Sequence, residues 1–284
     1  AAVSAAGPSR TPTEPMARHR NARGEMPFLD HLEELRWRIL WALLAVVVGT
    51  IVGLVLVFNL PVLELLVDPV REAHGDPNLR LVYLSPADPF FVTLKLAIFI
   101  GLILAFPIVV YQIWAFLSPA LEKREKRSVI PALYLGLVLF CAGVALAYFV
   151  ALPVTLDFFQ GFQTASLQGT LEINQTIGFV VKLLLAFGAV FELPVVIMAL
   201  SAMGLVTPAF LRAKRRHAIV GITVLASFLT PGDAITLTIM MMLPLVLLYE
   251  FGILLSVGIY RGKKKRAEEA EASLDPPTGA AESS

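Results

Sequence analysis

The sequence is short of charge and of cysteine. Only 16% of its 284 residues are Asp, Glu, Lys or Arg, where soluble domains carry about a quarter, and 57% are hydrophobic. With a mean hydropathy of +0.76, the chain is too apolar for an ordinary soluble domain and reads as an integral membrane protein. The single cysteine, Cys141, sits inside an apolar run. It excludes an intrachain disulfide and a cysteine metal site, and reads as a small buried hydrophobe. There is no His/Cys metal spacing, phosphate-binding glycine loop or nucleotide fingerprint, so the residues call for no metal or other cofactor. No Gly-x-Ser-x-Gly elbow is present, and His217 adjoins a basic loop at the membrane edge, so nothing supports a serine hydrolase. A net charge of +1 gives no strong field toward nucleic acid.

Long uncharged runs are what the chain does have. Residues 1–26, rich in Ala, Pro, Ser and Arg, hold too little apolar surface to order themselves and are expected to be a disordered cytoplasmic tail; Met16 and Met26 are both candidate initiators. From Pro27, with Phe28, Leu29, Leu32, Leu35 and Ile39 at three- and four-residue spacing, an amphipathic lead-in is expected along the membrane surface. Its polar side carries His31, Glu33, Glu34, Arg36 and Arg38.

Six spans follow, at about 37–58, 92–117, 128–156, 174–203, 215–230 and 234–258, each judged against the roughly 20 residues needed to cross a bilayer core. The proline-rich segment 59–91 reads as an ordered loop with a short surface helix near Val62 to Val67. Pro107 is expected to kink the second span, Lys95 to snorkel at its edge, and Trp114 to lie at the interface. Between the basic loop at 212–216 and Pro231-Gly232-Asp233 only His217 to Thr230 remain, reaching about 21 Å. A short fifth helix is therefore expected, matched by local bilayer thinning or by neighbouring protein.

Basic residues set the orientation. Arg10, Arg18, Arg20, Arg23, Arg36 and Arg38, the cluster at 123–127, the cluster at 212–216 and the Arg261 to Arg266 segment hold nineteen of the twenty-three Lys and Arg residues. By the positive-inside rule both termini are cytoplasmic. The expected fold class is an all-α integral membrane protein with a six-span core at 27–260 and a disordered cytoplasmic tail at 261–284.

The carboxylates are the informative residues. Glu192, in Phe191-Glu192-Leu193-Pro194, lies about 27 Å along the fourth span from Asn174. A charge at that depth faces a bundle interior or a wet cavity. Pro194 removes a helix hydrogen bond and clashes with the Val190 carbonyl, so the helix should bend beside the carboxyl. The alternative is a protonated Glu bonded to a neighbouring helix. Glu250 divides the same way, and Asp233 is most simply a turn residue. At the cytoplasmic surface, Glu34 is placed to pair with Arg38 at i, i+4, and Glu125 with its basic neighbours. Such pairs contribute about 0–1 kcal/mol, which is the reading as a solvated face. Carboxylates so placed also accept guanidinium groups in forked hydrogen bonds. If the two surfaces adjoin, they form a site for a pair of arginines.

Several separated motifs resemble one family. They are His31-Leu32-Glu33-Glu34-Leu35-Arg36, Pro107 through Tyr111-Gln112-Ile113-Trp114-Ala115-Phe116, Ser118-Pro119-Ala120-Leu121 then Glu125, Ala186-Phe187-Gly188 then Phe191-Glu192-Leu193-Pro194, and Thr230-Pro231 then Asp233. In this order, from about residue 26 to 260, they resemble the TatC family, the multi-spanning core subunit of the twin-arginine protein translocase. The resemblance implies a curved, glove-like six-helix bundle in the bacterial inner membrane and a receptor without enzymatic role. It implies that Glu34 and Glu125 recognise twin-arginine signal peptides of folded substrates, and that Arg36 and Phe116 belong to the same site. Glu192 corresponds to the polar residue of a membrane-facing groove, grouped here with Pro194, Pro69, Gln112, Asp233 and Glu250. Implied partners are the single-span subunits TatA and TatB, or a TatA-like protein serving both roles, with further copies of the chain and membrane lipid. Export would draw on the proton-motive force.

Two other classes compete. A proton-coupled small-solute transporter would use Glu192 as a carrier and give saturable flux in liposomes, but the halves show no internal repeat and no second interrupted helix. A purely structural scaffold leaves the interfacial acids without a role.

Overall fold

The computed structural model describes residues 28–117, 129–161, 170–229 and 235–272. Ten helices account for almost all of these residues: α1 (Phe28–Asn59), α2 (Val62–His74), α3 (Asp88–Leu117), α4 (Val129–Leu146), α5 (Leu152–Gln160), α6 (Ile173–Val190), α7 (Leu193–Ala202), α8 (Pro208–Ala213), α9 (Arg215–Leu229) and α10 (Ile235–Ala272). Among the described residues, five helical stretches are long and apolar enough to cross a membrane: His31–Asn59, Asp88–Leu117, Ile130–Gln160, Ile173–Ala202 and Met241–Lys265. The protein is a multi-pass, all-α membrane protein. The fifth crossing expected from sequence corresponds to α9, whose 15 residues extend only about 22 Å.

The lead-in and first span form a single unbroken helix, α1, rather than a surface helix followed by a crossing. No Gly or Pro interrupts the chain from Phe28 to Val48, so nothing forces a turn at the interface. Helix α1 packs on α3 with almost no side chain between them. A Cβ added to Gly49 would lie 2.5 Å from the Gly101 carbonyl oxygen, and one added to Gly101 would lie 2.5 Å from the Thr50 nitrogen. These are the small-residue contacts that let membrane helices approach closely.

Helix α2 is the surface helix anticipated in the proline-rich loop, longer than expected. It buries Leu66, Val67, Pro69 and Val70 and ends on Gly75 at φ 63°, the left-handed position that glycine tolerates. Helix α3 runs through Pro107 as one helix. Between α4 and α5 lies a π-helical turn, Ala147–Ala151, beside Pro153, which lacks the N–H that a regular α-helix would use.

The break in the fourth crossing falls where Pro194 places it. Helix α6 ends at Val190, α7 begins at Leu193, and the Glu192 carbonyl accepts from Val195 N at 2.9 Å and Val196 N at 3.0 Å.

One core cluster joins α2, α3, α5, α6 and α10 through residues such as Leu96, Leu152, Ile177, Phe187 and Leu245; a second joins α3, α4 and α7 around Trp114, Ala132, Val195 and Ala199.

Several local expectations are corrected. Trp114 is 4% exposed, because small residues on α4 and α7 leave room for its indole inside the bundle; the outward tryptophans are Trp37 and Trp41 on α1, at 57% and 56%. Cys141 is exposed: the outer face of a membrane helix is as apolar as its core, so an apolar run alone does not indicate which way a thiol points. Lys95 does not reach for water. Its ammonium donates to the Asn174 carbonyl at 3.1 Å and to the Asn174 side-chain oxygen. Residues 261–272, expected in a disordered tail, continue α10 as helix and carry i, i+4 pairs Lys264–Glu268 and Lys265–Glu269. Residues 1–26 and 273–284, also expected as tail, lie outside the described residues.

Candidate functional site

Two carboxylates on different helices stand out, one near the start of α1 and one at the α6–α7 break. Glu34 occupies the second turn of α1. The Arg38 guanidinium donates to its Oε1 from Nε at 2.9 Å and also from Nη2. Both donors fall on one oxygen, so Oε2 is left without a hydrogen bond although it is shielded from solvent. The His31 ring faces it, with Nδ1 3.8 Å away. The His31 ring in turn stacks on Phe116 near the end of α3, with centroids 4.5 Å apart and planes 14° from parallel. A carboxylate oxygen with an unused acceptor site, beside an aromatic shelf, is suited to a planar guanidinium, which both accepts the fork geometry and stacks.

Arg36 is exposed on the same stretch of α1. Phe116 brings the α3 terminus to this site; Glu125, expected as the second carboxylate, lies outside the described residues.

Glu192 lines a concave cavity of about 480 Å³ between α3, α4 and α6–α7. Phe106, Val110 and Trp114 line it from α3, Phe140 from α4, and Ala189 and Val195 from α6 and α7. Among the described residues, Glu192 is the one ionisable residue in this lining. Its Oε1 is buried and unpartnered, and its Oε2 lies against Gly136, where a Cβ would come within 3.0 Å. The apolar lining fits a hydrophobic helical segment, and the carboxyl offers it a single polar anchor.

The remaining candidates are dispersed. Pro194 is buried at the start of α7 beside Glu192. Gln112, partly buried on α3, adjoins lining residue Ile113 without lining the cavity itself. Pro69 is buried in α2. Glu250 is held by Arg215 at 2.6 Å, joining α10 to α9. Asp233 lies outside the described residues.

Sequence reasoning missed the role of His31, which it had placed only on a polar face, and the glycine at Gly136 that makes space for a carboxylate. It also missed the polar link Lys95–Asn174–Asp88, in which Asn174 Nδ2 donates to Asp88 at 3.4 Å. Only the His31-to-Glu34 spacing was readable in advance.

Comparison with known proteins agrees with this architecture. The profile described as "Sec-independent protein translocase protein (TatC)" matches residues 30–244. The Sec-independent protein translocase protein TatC of Aquifex aeolicus (strain VF5) is 37% identical over 242 residues, covering 84% of this chain and 98% of the relative. That of Escherichia coli (strain K12) is 37% identical over 243 residues, covering 86% and 92%. Among solved structures, a crystal structure of the twin arginine translocase receptor TatC superposes with a TM-score of 0.68 at 35% identity, covering 81% of this chain and 99% of the other.

Proposed function

Since the chain belongs to the TatC family, a receptor subunit of the twin-arginine translocase and not an enzyme, we propose that Glu34 and Glu125 together bind the two arginines of a signal peptide. The observation that carries the proposal is the unused Oε2 of Glu34 beside the His31–Phe116 stack. Arg38 already occupies Oε1, so an incoming guanidinium takes Oε2 or displaces Arg38. Arg36 and Phe116 complete the rim.

The apolar stretch that follows the arginines then runs toward the cavity at Glu192, where Pro194 keeps the helix open. Phe106, Trp114 and Phe140 offer it the hydrophobic wall. In this reading the basic loops face the cytoplasm, the membrane is the bacterial inner membrane, and the partners are TatA and TatB or a TatA-like protein serving both roles. Folded substrates cross with the proton-motive force as the source of work. Pro69, Gln112, Asp233 and Glu250 belong to the partner-facing framework.

The experiment is binding of a labelled twin-arginine signal peptide to the purified protein, wild type beside Glu34→Ala and Glu125→Ala, with a twin-lysine peptide as control. Lysine lacks the planar fork, so binding should need both arginines and fail in either variant. Equal binding of all combinations rejects the site.

A further inference from the structure

Lys182 presents a charge that nothing in the described chain answers. It lies nine residues into α6, about 13 Å from the start of the helix at Ile173, and it is exposed. Among the described residues it has neither a hydrogen bond nor an ion pair. The other lysine near this end, Lys95, is engaged by Asn174. The segment 162–169 that precedes α6 contains no Asp or Glu. An ionisable residue inside a crossing usually faces a bundle interior or pairs with another group; Lys182 does neither within one copy of the chain.

Its position along the helix is informative. Gln175, Lys182 and Ala189 recur every seven residues along α6, and with Val196, seven residues further on and past the break in α7, all four are exposed, whereas Ile177, Val180 and Leu184 on the other side of α6 are buried. A seven-residue stripe is the seam along which a second helix packs with left-handed crossing. Ala189 is small enough for close approach, and Ala189 and Val196 also line the Glu192 cavity. The stripe therefore extends that cavity toward Ile173, and Lys182 and Glu192, ten residues apart, stand about 15 Å apart along it.

We propose that the face through Gln175, Lys182, Ala189 and Val196 seats one membrane-crossing helix of another chain, and that Lys182 is the counter-charge for a carboxylate on that helix. The occupant is identified by charge complementarity: an apolar helix bearing one acid, set about 15 Å from the level of Glu192. This rests on the reading of the Glu192 cavity as the seat of a hydrophobic helical segment and adds the chemistry of a partner helix beside it.

The test uses the full chain in nanodiscs of phosphatidylcholine alone, with synthetic leucine–alanine transmembrane peptides carrying a single Glu, Gln or Lys at one of three depths, read by energy transfer. The Glu peptide should bind about tenfold more tightly than the Gln peptide, at one depth only. Lys182→Gln should abolish that preference, and Lys182→Glu should transfer it to the Lys peptide. The same ranking in wild type and Lys182→Gln overturns the inference. So does a ranking that disappears when phosphatidylglycerol is added, since lipid phosphate would then hold the ammonium. A Glu preference that is absent from wild type and arises only in Asp233→Asn also overturns it, because the counter-charge would then lie within the chain. Twin-arginine peptide binding is measured on the same samples. If it persists while the helix preference is absent, only this inference fails; if it is absent from wild type, the receptor reading fails.

Discussion

The imidazole of His31 lies flat on the ring of Phe116, 4.5 Å between centroids. That contact connects the first helix of the chain to the end of the third, one turn of helix from Glu34. An offset aromatic pair contributes about 0.5–1.5 kcal/mol beyond area burial.

Phe116→Ala should therefore weaken twin-arginine peptide binding by roughly threefold to tenfold, and Phe116→Tyr should retain most of it. Fluorescence anisotropy with a labelled peptide gives both values. An Ala variant that binds like wild type would mean the stack does not position Glu34.

Arg38 competes with the ligand for one carboxylate. Arg38→Met keeps the length of the side chain and frees Oε1, so peptide affinity should rise, most clearly at low salt where exposed charges are least screened. Thermal stability should change by no more than about 1 kcal/mol, since the pair is partly exposed. A fall in affinity would identify Arg38 as part of the site instead of its internal competitor.

Glycine substitutions separate tight contacts from open positions. Gly101→Ala would drive a methyl against the Thr50 backbone at 2.5 Å, and overpacking of this kind costs about 1–3 kcal/mol or more. Gly221→Ala meets nothing within 4 Å and should be neutral or slightly stabilising. Thermal unfolding in detergent compares the two; equal midpoints would mean that α1 and α3 are less closely apposed than the structure shows.

Lys95 and Asn174 form a coupled pair. Asn174→Leu alone leaves an ammonium partly buried without its acceptor and should cost about 1–3 kcal/mol, whereas Lys95→Met with Asn174→Leu should recover much of the loss. A double-mutant cycle on unfolding midpoints measures the coupling. Strictly additive losses would show that the ammonium finds another partner.

Five crossings were readable in the sequence because their apolar runs are long and carry few or no charges, and the break at Glu192 because Pro194 lacks an N–H. The Glu34–Arg38 pair was equally legible, being fixed by one turn of helix. Trp114, Lys95 and Cys141 were not. Whether an indole is buried, which oxygen an ammonium finds, and whether a thiol points outward all depend on which helices become neighbours. Asn174 stands 79 residues from Lys95, a distance no local pattern spans. The continuation of α10 past Tyr260 was missed because charge was taken as a sign of disorder, although Lys264–Glu268 and Lys265–Glu269 have the spacing that supports a helix.

The joint between α1 and α3 is made of backbone meeting backbone at Gly49 and Gly101. In a bilayer, the lipid tails that would replace either helix are as oily as the helices themselves, so water contributes little to holding the two together. Their cohesion comes from shape, like two pieces of joinery cut to the same line. Such a joint should tolerate exchange of lipid for detergent, yet it is sensitive to a single added methyl group. It also leaves most of the circumference of α1 facing the membrane, a long rail along which lipids or other proteins can be exchanged without disturbing the rest of the fold.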